Sequence, residues 1–240
     1  MYLDIHSHIL HSIDDGAEDL SVSLALLKDI YNQGITDIVA TPHFRPMYDD
    51  LEDFLENRQE IFENIKASLK NTPHPNIYLG CELLYYKGLS SASCLEKFTI
   101  ANSKYILLEP DYDSLNDKFF SEVLQIRKSG FEPILAHIER YSKAKGFRKL
   151  IKFIKANRIL TQVNATSFYS KNHHRLIKKL FKNNLITFVA SDTHSIDVRP
   201  PMIKDSLEII TADFGEKYTQ RLIDNSQKLL SEIAKKENAV

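Results

Sequence analysis

The sequence predicts an α/β fold on a parallel sheet, closed as a barrel of alternating strands and helices. Three observations predict it. Short apolar, β-branched runs alternate with longer segments of helical period, the pattern of strands joined by right-handed crossovers. Several runs (IVA at 38–40, ILL at 106–108, PILA at 133–136, TFVA at 187–190) are apolar at consecutive positions, as strands covered on both faces are. Six of the seven runs deliver a histidine, aspartate or glutamate at or just past their carboxyl-terminal edge. The first two observations fit an open doubly wound sheet equally well. The third favours the barrel, which gathers strand ends round one axis where an open sheet spreads them across its width.

The elements follow in order. Residues 3–5 form the first strand. A helix starts at Ser21, its expected N-cap, and ends at Gly34, with Leu24, Leu26, Leu27, Ile30 and Tyr31 on one stripe. Residues 38–40 form the second strand, and a long helix over about 50–70 turns Leu51, Leu55, Phe62, Ile65 and Leu69 inward. The third strand is read at 77–80 and the fourth at 105–108; a helix over 114–128 stops at Gly130 before the fifth strand at 133–136. Then come a helix at 148–157, the sixth strand at 160–163, a helix at 174–182 and the seventh strand at 186–190. Pro200 and Pro201 open another helix, where proline suits the first turn, and a terminal helix covers 218–236. No repeat or Gly/Ser-rich linker interrupts the series, so residues 1–240 are read as a single domain.

Composition narrows the function classes. Of 240 residues 43% are hydrophobic, enough for a core, and 31 basic against 32 acidic side chains leave a net charge of −1. No bulk charge favours nucleic acid or an anionic membrane. The first ten residues lack the basic and apolar regions of a secretion signal, and no apolar run approaches bilayer length. Cys81 and Cys94 make no disulfide framework and no CxxC pair. A cytoplasmic globular protein is expected.

The chemistry lies at the strand ends. Strand one is followed by His6-Ser7-His8 and then Asp15; strand two by Thr41-Pro42-His43; strand three by Cys81-Glu82; strand four by Glu109. Strand five is followed by His137 and strand seven by Ser191-Asp192-Thr193-His194, while strand six delivers Asn164, a weak ligand. Five of the nine histidines occupy these positions. Imidazole and carboxylate together suit zinc, manganese, iron or nickel, and nine candidates exceed what one ion needs, so two or three ions are expected. Four carboxylates against three divalent ions leave about +2, which favours an anionic substrate. Arg140 and Arg199 lie just past two strand ends, placed for bidentate phosphate contacts.

The ordered set of His6-Ser7-His8, Asp14-Asp15-Gly16, Thr41-Pro42-His43, Gly80-Cys81-Glu82, His137-Ile138-Glu139-Arg140-Tyr141, Thr161-Gln162-Val163-Asn164, Ser191-Asp192-Thr193-His194 and Arg199-Pro200-Pro201 resembles the PHP (polymerase and histidinol phosphatase) superfamily. It resembles most the bacterial metal-dependent tyrosine-protein phosphatases of capsular and exopolysaccharide loci, the CpsB/YwqE type, from residue 3 to about 230. The resemblance implies a distorted (β/α)7 barrel with three divalent ions, manganese first, iron or zinc as alternatives. It implies that His6, His8, Glu82 and Asp192 hold one ion, that Glu82 bridges to a second held by Glu109 and His137, and that Asp15, His43 and His194 hold the third. Arg140 and Arg199 match that branch's phosphate-binding arginines. A metal-bridging hydroxide is the implied nucleophile, and the implied partner is a phosphotyrosine protein, a bacterial tyrosine autokinase.

The same ligands would serve a small-molecule phosphatase of the histidinol-phosphatase kind or a nucleic-acid phosphodiesterase, and a non-catalytic reading is a metal-binding, kinase-docking protein. Two phosphatase motifs are excluded: Leu115 is wrong for a DxDx[T/V] aspartyl-phosphate motif at Asp111, and neither cysteine has an arginine six residues on. The basic stretches at 148–158 and 173–182 read as solvated outer faces of barrel helices, so no nucleic acid and no membrane insertion are expected. Oligomeric state is not legible.

Overall fold

The computed structural model describes residues 2–237. Nine strand segments run in order: β1 (Leu3–Ser7), β2 (Asp37–Ala40), β3 (His43–Phe44), β4 (Asn76–Leu79), β5 (Glu82–Leu84), β6 (Tyr105–Glu109), β7 (Glu132–Leu135), β8 (Leu160–Asn164) and β9 (Phe188–Ala190). Every pairing between them is parallel. One sheet has the order β1-β2-β4 and the other β3-β5-β6-β7-β8-β9. The second and third expected strands are present as β2 and β4, and each resumes after a two-residue break, at Thr41-Pro42 and Gly80-Cys81, as β3 and β5, so nine segments make seven strand positions. Pro42 has no N–H to give a ladder, which accounts for the first break.

The ends of the series meet. The main-chain N–H of Asp192 donates to the His6 carbonyl at 2.9 Å, and that of His8 to Thr193 at 2.9 Å, joining β1 to the segment after β9. Buried Asp4 tightens this seam by accepting from the Ser191 N–H at 3.0 Å. Leu3, Ile5, Val39, Leu107, Ile134, Ala136 and Phe188, from five strands, pack in one cluster with Leu229 and Ile233. Side chains from strands all round the sheet meet only where it curls into a barrel.

Helices α1 (Leu20–Asn32), α2 (Leu51–Ser68), α3 (Asp117–Lys128), α4 (Phe147–Asn157), α5 (Lys171–Lys182), α6 (Ile203–Phe214) and α7 (Glu216–Glu237) complete the fold. Asp19, not Ser21, caps α1, its side chain accepting from the Val22 N–H at 3.0 Å. In α2 the buried line is Phe54, Ile61 and Ile65, followed by Leu69 at the C-cap; Leu51, Leu55 and Phe62 flank it rather than lead it. Pro200 and Pro201 precede α6 by a full residue instead of opening it. Helix α7 closes the end where strands begin: Ser226 Oγ accepts from the Leu3 N–H at 2.5 Å, and Asn225 Nδ2 donates to the Thr187 carbonyl at 2.9 Å. The opposite end stays open, and there the strand ends converge.

Candidate metal centre

All nine candidate ligands gather at the end of the barrel toward which the parallel strands run. His6 ends in β1 and His8 follows it; His43 starts β3; Glu82 starts β5; Glu109 ends β6; His137 follows β7; Asp192 and His194 follow β9; Asp15 sits in the loop before α1. A register shift in the β1–β2 pairing between Asp4 and Ser7 accompanies the delivery of His6 and His8. His137 (φ 30°) and Asp192 (φ 50°) occupy left-handed backbone, a conformation that costs about 1–3 kcal/mol at a non-glycine residue and collects at functional sites.

The structure brings the nine together. His6 Nε2 is 3.1 Å from His8 Nε2 and from Glu82 Oε2, and 3.4 Å from Asp192 Oδ1; His8 Nε2 is 3.3 Å from Glu82 Oε2 and 3.4 Å from Asp192 Oδ1. A cation with ligands at about 2.1 Å needs neighbouring ligand atoms about 3.0 Å apart in an octahedron and about 3.4 Å in a tetrahedron. These four atoms therefore have the spacing of a coordination shell. His8, Asp15, His43 and His194 form a second group, and His43, Glu82 and Glu109 a third, each with ligand atoms within 4.8 Å of one another. His137 Nε2 lies 2.7 Å from Glu82 Oε1 and 3.7 Å from Glu109 Oε1.

Electrostatics fit the same occupant. His6, His8, Glu82, His137 and Asp192 are buried, and Asp192 Oδ1, His43 Nδ1 and His194 Nε2 are buried without a hydrogen-bond partner. Burial pushes His43 down to about 4 and His194 to about 3, so both stay neutral with lone pairs to offer. Burial opposes the charge of Glu82, yet the His6 and His137 imidazoles outweigh it and hold the carboxyl well below its usual range. Asp192 is held down likewise, by His6, His8 and Arg140 against its burial. Burial lowers His6 and His8 too, but Glu82 and Asp192 at His6, and Asp14, Asp192 and Glu82 at His8, draw protons onto both rings. Divalent cations would satisfy the same carboxylates in place of those protons.

Three residues without an assigned role from sequence orient this cluster. Asp14 Oδ2 accepts from His8 Nδ1 at 2.7 Å and from the His43 main-chain N–H at 2.9 Å, which turns His8 Nε2 toward Glu82. Gln162 Oε1 accepts from the His137 N–H at 2.6 Å and lies 3.3 Å from His6 Nδ1. Gly16 lets its loop press on His8: a Cβ there would stand 2.4 Å from the His8 carbonyl oxygen. Gln162 and Asn164 share one face of β8 by strand alternation, a signal that was present in the sequence. Asn164 is not a ligand here; its Nδ2 donates to Asp192 Oδ2 at 2.6 Å.

Arg140 and Arg199 lie at the mouth, partly exposed, and each places Nη2 2.5 Å from Asp192 Oδ2. They brace the Asp192 carboxylate while facing the opening. His11, His74, His173 and His174 stay outside the cluster, half-buried elsewhere.

Residues 2–231 match the family model described as "Capsular polysaccharide synthesis, CpsB/CapC". The chain is 33% identical over 239 residues to tyrosine-protein phosphatase CpsB of Streptococcus agalactiae serotype III (strain NEM316), covering 95% of this chain and 98% of that one. A solved structure from work on YwqE of Bacillus subtilis and CpsB of Streptococcus pneumoniae, described as unique metal-dependent tyrosine phosphatases, superposes with a TM-score of 0.83 at 25% identity, over 96% of this chain and 94% of that one. The phosphotriesterase homology protein of Escherichia coli shares the barrel fold alone, at a TM-score of 0.55 and 11% identity over 94% of this chain and 97% of that one. With a match over nearly its whole length and a relative at one-third identity, the chain belongs to the CpsB/CapC family.

Proposed function

We propose that this chain is a metal-dependent protein-tyrosine phosphatase, hydrolysing phosphotyrosine on a protein partner. The observation that carries the reading is Glu82: one buried carboxylate has four imidazoles, His6, His8, His43 and His137, within 3.3 Å of its two oxygens. A single carboxylate shared among so many metal-type donors would suit a centre of more than one ion.

In this reading His6, His8, Glu82 and Asp192 would hold one divalent ion, Glu82, Glu109 and His137 a second, and Asp15, His43 and His194 a third, with manganese first and iron or zinc as alternatives. When bound, such ions supply Lewis-acid charge that makes hydroxide available from water near neutral pH and stabilises the phosphoryl group in transfer. The chain's own part is positional. Asp14, Gln162 and the Asp192 carbonyl take hydrogen bonds from, or lie in reach of, Nδ1 of His8, His6 and His194, so that each ring presents Nε2 to the cluster. Arg140 and Arg199 each carry five N–H donors and give one to Asp192, which leaves others for the equatorial phosphate oxygens. Hydrolysis joins a water oxygen to phosphorus as the bond to the tyrosyl oxygen breaks, and the phenolate released has a pKa of ~10, which makes a strong general acid unnecessary.

A tyrosine autokinase that governs capsular or exopolysaccharide chain export is the partner the family relationship favours. A kinase needs nucleotide triphosphate, so the reaction is assigned to the cytoplasm. Turnover of p-nitrophenyl phosphate, a phosphotyrosine peptide, a phosphoserine peptide and histidinol phosphate, with manganese and after chelation, tests this. Manganese-dependent turnover that favours the phosphotyrosine peptide is expected. Preference for histidinol phosphate, or no metal-dependent hydrolysis at all, would overturn it.

A further inference from the structure

The distribution of exposed apolar side chains adds a partner surface to the site. Among the described residues seven large apolar side chains are exposed, and six of them, Met47, Tyr48, Tyr112, Tyr169, Ile196 and Val198, lie in loops that lead from a strand to the next helix. All strand pairings are parallel, so these loops leave the barrel at the end where the metal ligands converge. Only Tyr31, at the end of α1, lies elsewhere. Single exposed apolar residues are ordinary; their collection round one opening marks a contact surface.

The rim is tied to the ligands. Met47 and Tyr48 follow His43, while Ile196 and Val198 follow His194, and the two imidazoles have ring centroids 6.3 Å apart. The two loops thus rise side by side next to exposed Asp15. Tyr112 packs 6.1 Å from Tyr141, which itself stacks 6.0 Å from His137.

We propose that these six residues form a docking rim for the polypeptide on either side of the phosphotyrosine, and that the rim selects apolar flanking side chains. The proposal rests on the phosphotyrosine reading above. Tyr48 and Val198 are each 84% exposed and Met47 78%, so they stand out from the barrel instead of folding over the cluster. A small phosphate ester seated at the ions leaves them bare; a chain extending beyond the phosphoryl group covers them. The same loops carry Asp49, Asp111, Asp113 and Asp197, while their two arginines already face carboxylates, Arg45 at Asp15 and Arg199 at Asp192, so the balance disfavours an acidic flank.

The test compares a phosphotyrosine peptide with leucine and valine flanks, the same peptide with glutamate flanks, and p-nitrophenyl phosphate, on manganese-bound protein. The apolar-flanked peptide should have about ten-fold higher kcat/KM than the acidic one, the size of a modest apolar burial. In the Met47→Ser/Tyr48→Ser/Val198→Ser variant that preference should vanish, mainly through KM, while p-nitrophenyl phosphate is turned over within about two-fold of the parent, the range left by surface substitutions. Tyr48→Phe should keep the preference. Equal turnover of both peptides by the parent, or a parallel loss on all three substrates in the variant, would overturn the rim. So would sedimentation showing that the variant only dissolves a self-association, which would make the face a contact between copies. Were no substrate turned over, the phosphatase reading would fall by itself; fluorescence anisotropy of the labelled phosphopeptide would then decide the rim, with equal binding by parent and variant refuting it.

Discussion

Asp14→Asn probes the support of the metal centre without touching a ligand. Asp14 Oδ2 takes hydrogen bonds from His8 Nδ1 at 2.7 Å and the His43 N–H at 2.9 Å, and its Oδ1 takes one from the Gly16 N–H at 2.9 Å. Burial opposes its charge, but His8 outweighs that and holds the carboxyl far below its usual range. Asparagine keeps the size and one acceptor oxygen, while its amide nitrogen turns a donor toward donors. Either Gly16 or the His8 and His43 pair then loses its acceptor. If His8 loses it, nothing fixes Nε2 as the lone pair facing Glu82 and Asp192. Losing such a partner lowers metal affinity about 10–100-fold, which is about 1.4–2.7 kcal/mol. The assay is competition for manganese against a chromophoric chelator, with circular dichroism confirming the fold and kcat measured at saturating metal. Affinity within about two-fold of the parent together with an unchanged Tm would refute the orienting role, because the amide donor must face either the His8 and His43 donors, weakening the metal site, or the Gly16 N–H, destabilising the loop.

Gln162→Leu removes the acceptor of the His137 N–H and should cost about 1–3 kcal/mol, the price of an unpaired buried donor. Calorimetry should then show Tm lower by about 2–4 °C for each kcal/mol. Gly16→Ala forces a Cβ to within 2.4 Å of the His8 oxygen, so the Asp15 loop must move; both stability, by about 1–3 kcal/mol, and manganese affinity should fall. Chelation should lower Tm, since ion at 100-fold its Kd stabilises the fold by about 2.7 kcal/mol. That stabilisation should shrink as pH falls: Glu82, Asp192 and Asp14 outweigh burial and keep His6 and His8 above the ordinary histidine range, so protons compete with the ions there. A Tm difference between ion-bound and chelated protein that grows on acidification would contradict this sign.

Much of the fold was legible because the ligand types recur in one place, the ends of apolar runs, and a parallel βα chain brings those ends to one face. Thus Glu82 and Asp192, 110 positions apart in sequence, could be read as neighbours. What stayed hidden depends on tertiary contact. Segments β3 and β5 are two and three residues long, too short to show any alternation. In α2 the apolar stripe is wide, and period alone does not say whether Phe54 or Leu55 lies at its centre. Asp19 and Ser21 both suit an N-cap, and only the bond to Val22 decides. Asp14 stood within a recognised motif, but its duty to His8 follows from the fold of the loop. Arg140 and Arg199 were read as phosphate ligands; that they meet at Asp192 follows from the sheet order, which sets the ends of β7 and β9 two strands apart.

The most direct test of a multinuclear centre built on Glu82 is anomalous diffraction at the manganese edge from crystals of active protein, paired with metal analysis of the same sample. Three peaks per chain are expected, one among His6, His8, Glu82 and Asp192, one by Glu109 and His137, and one by Asp15, His43 and His194. Full turnover from a sample without bound ions, or ions seated away from Glu82, would contradict it.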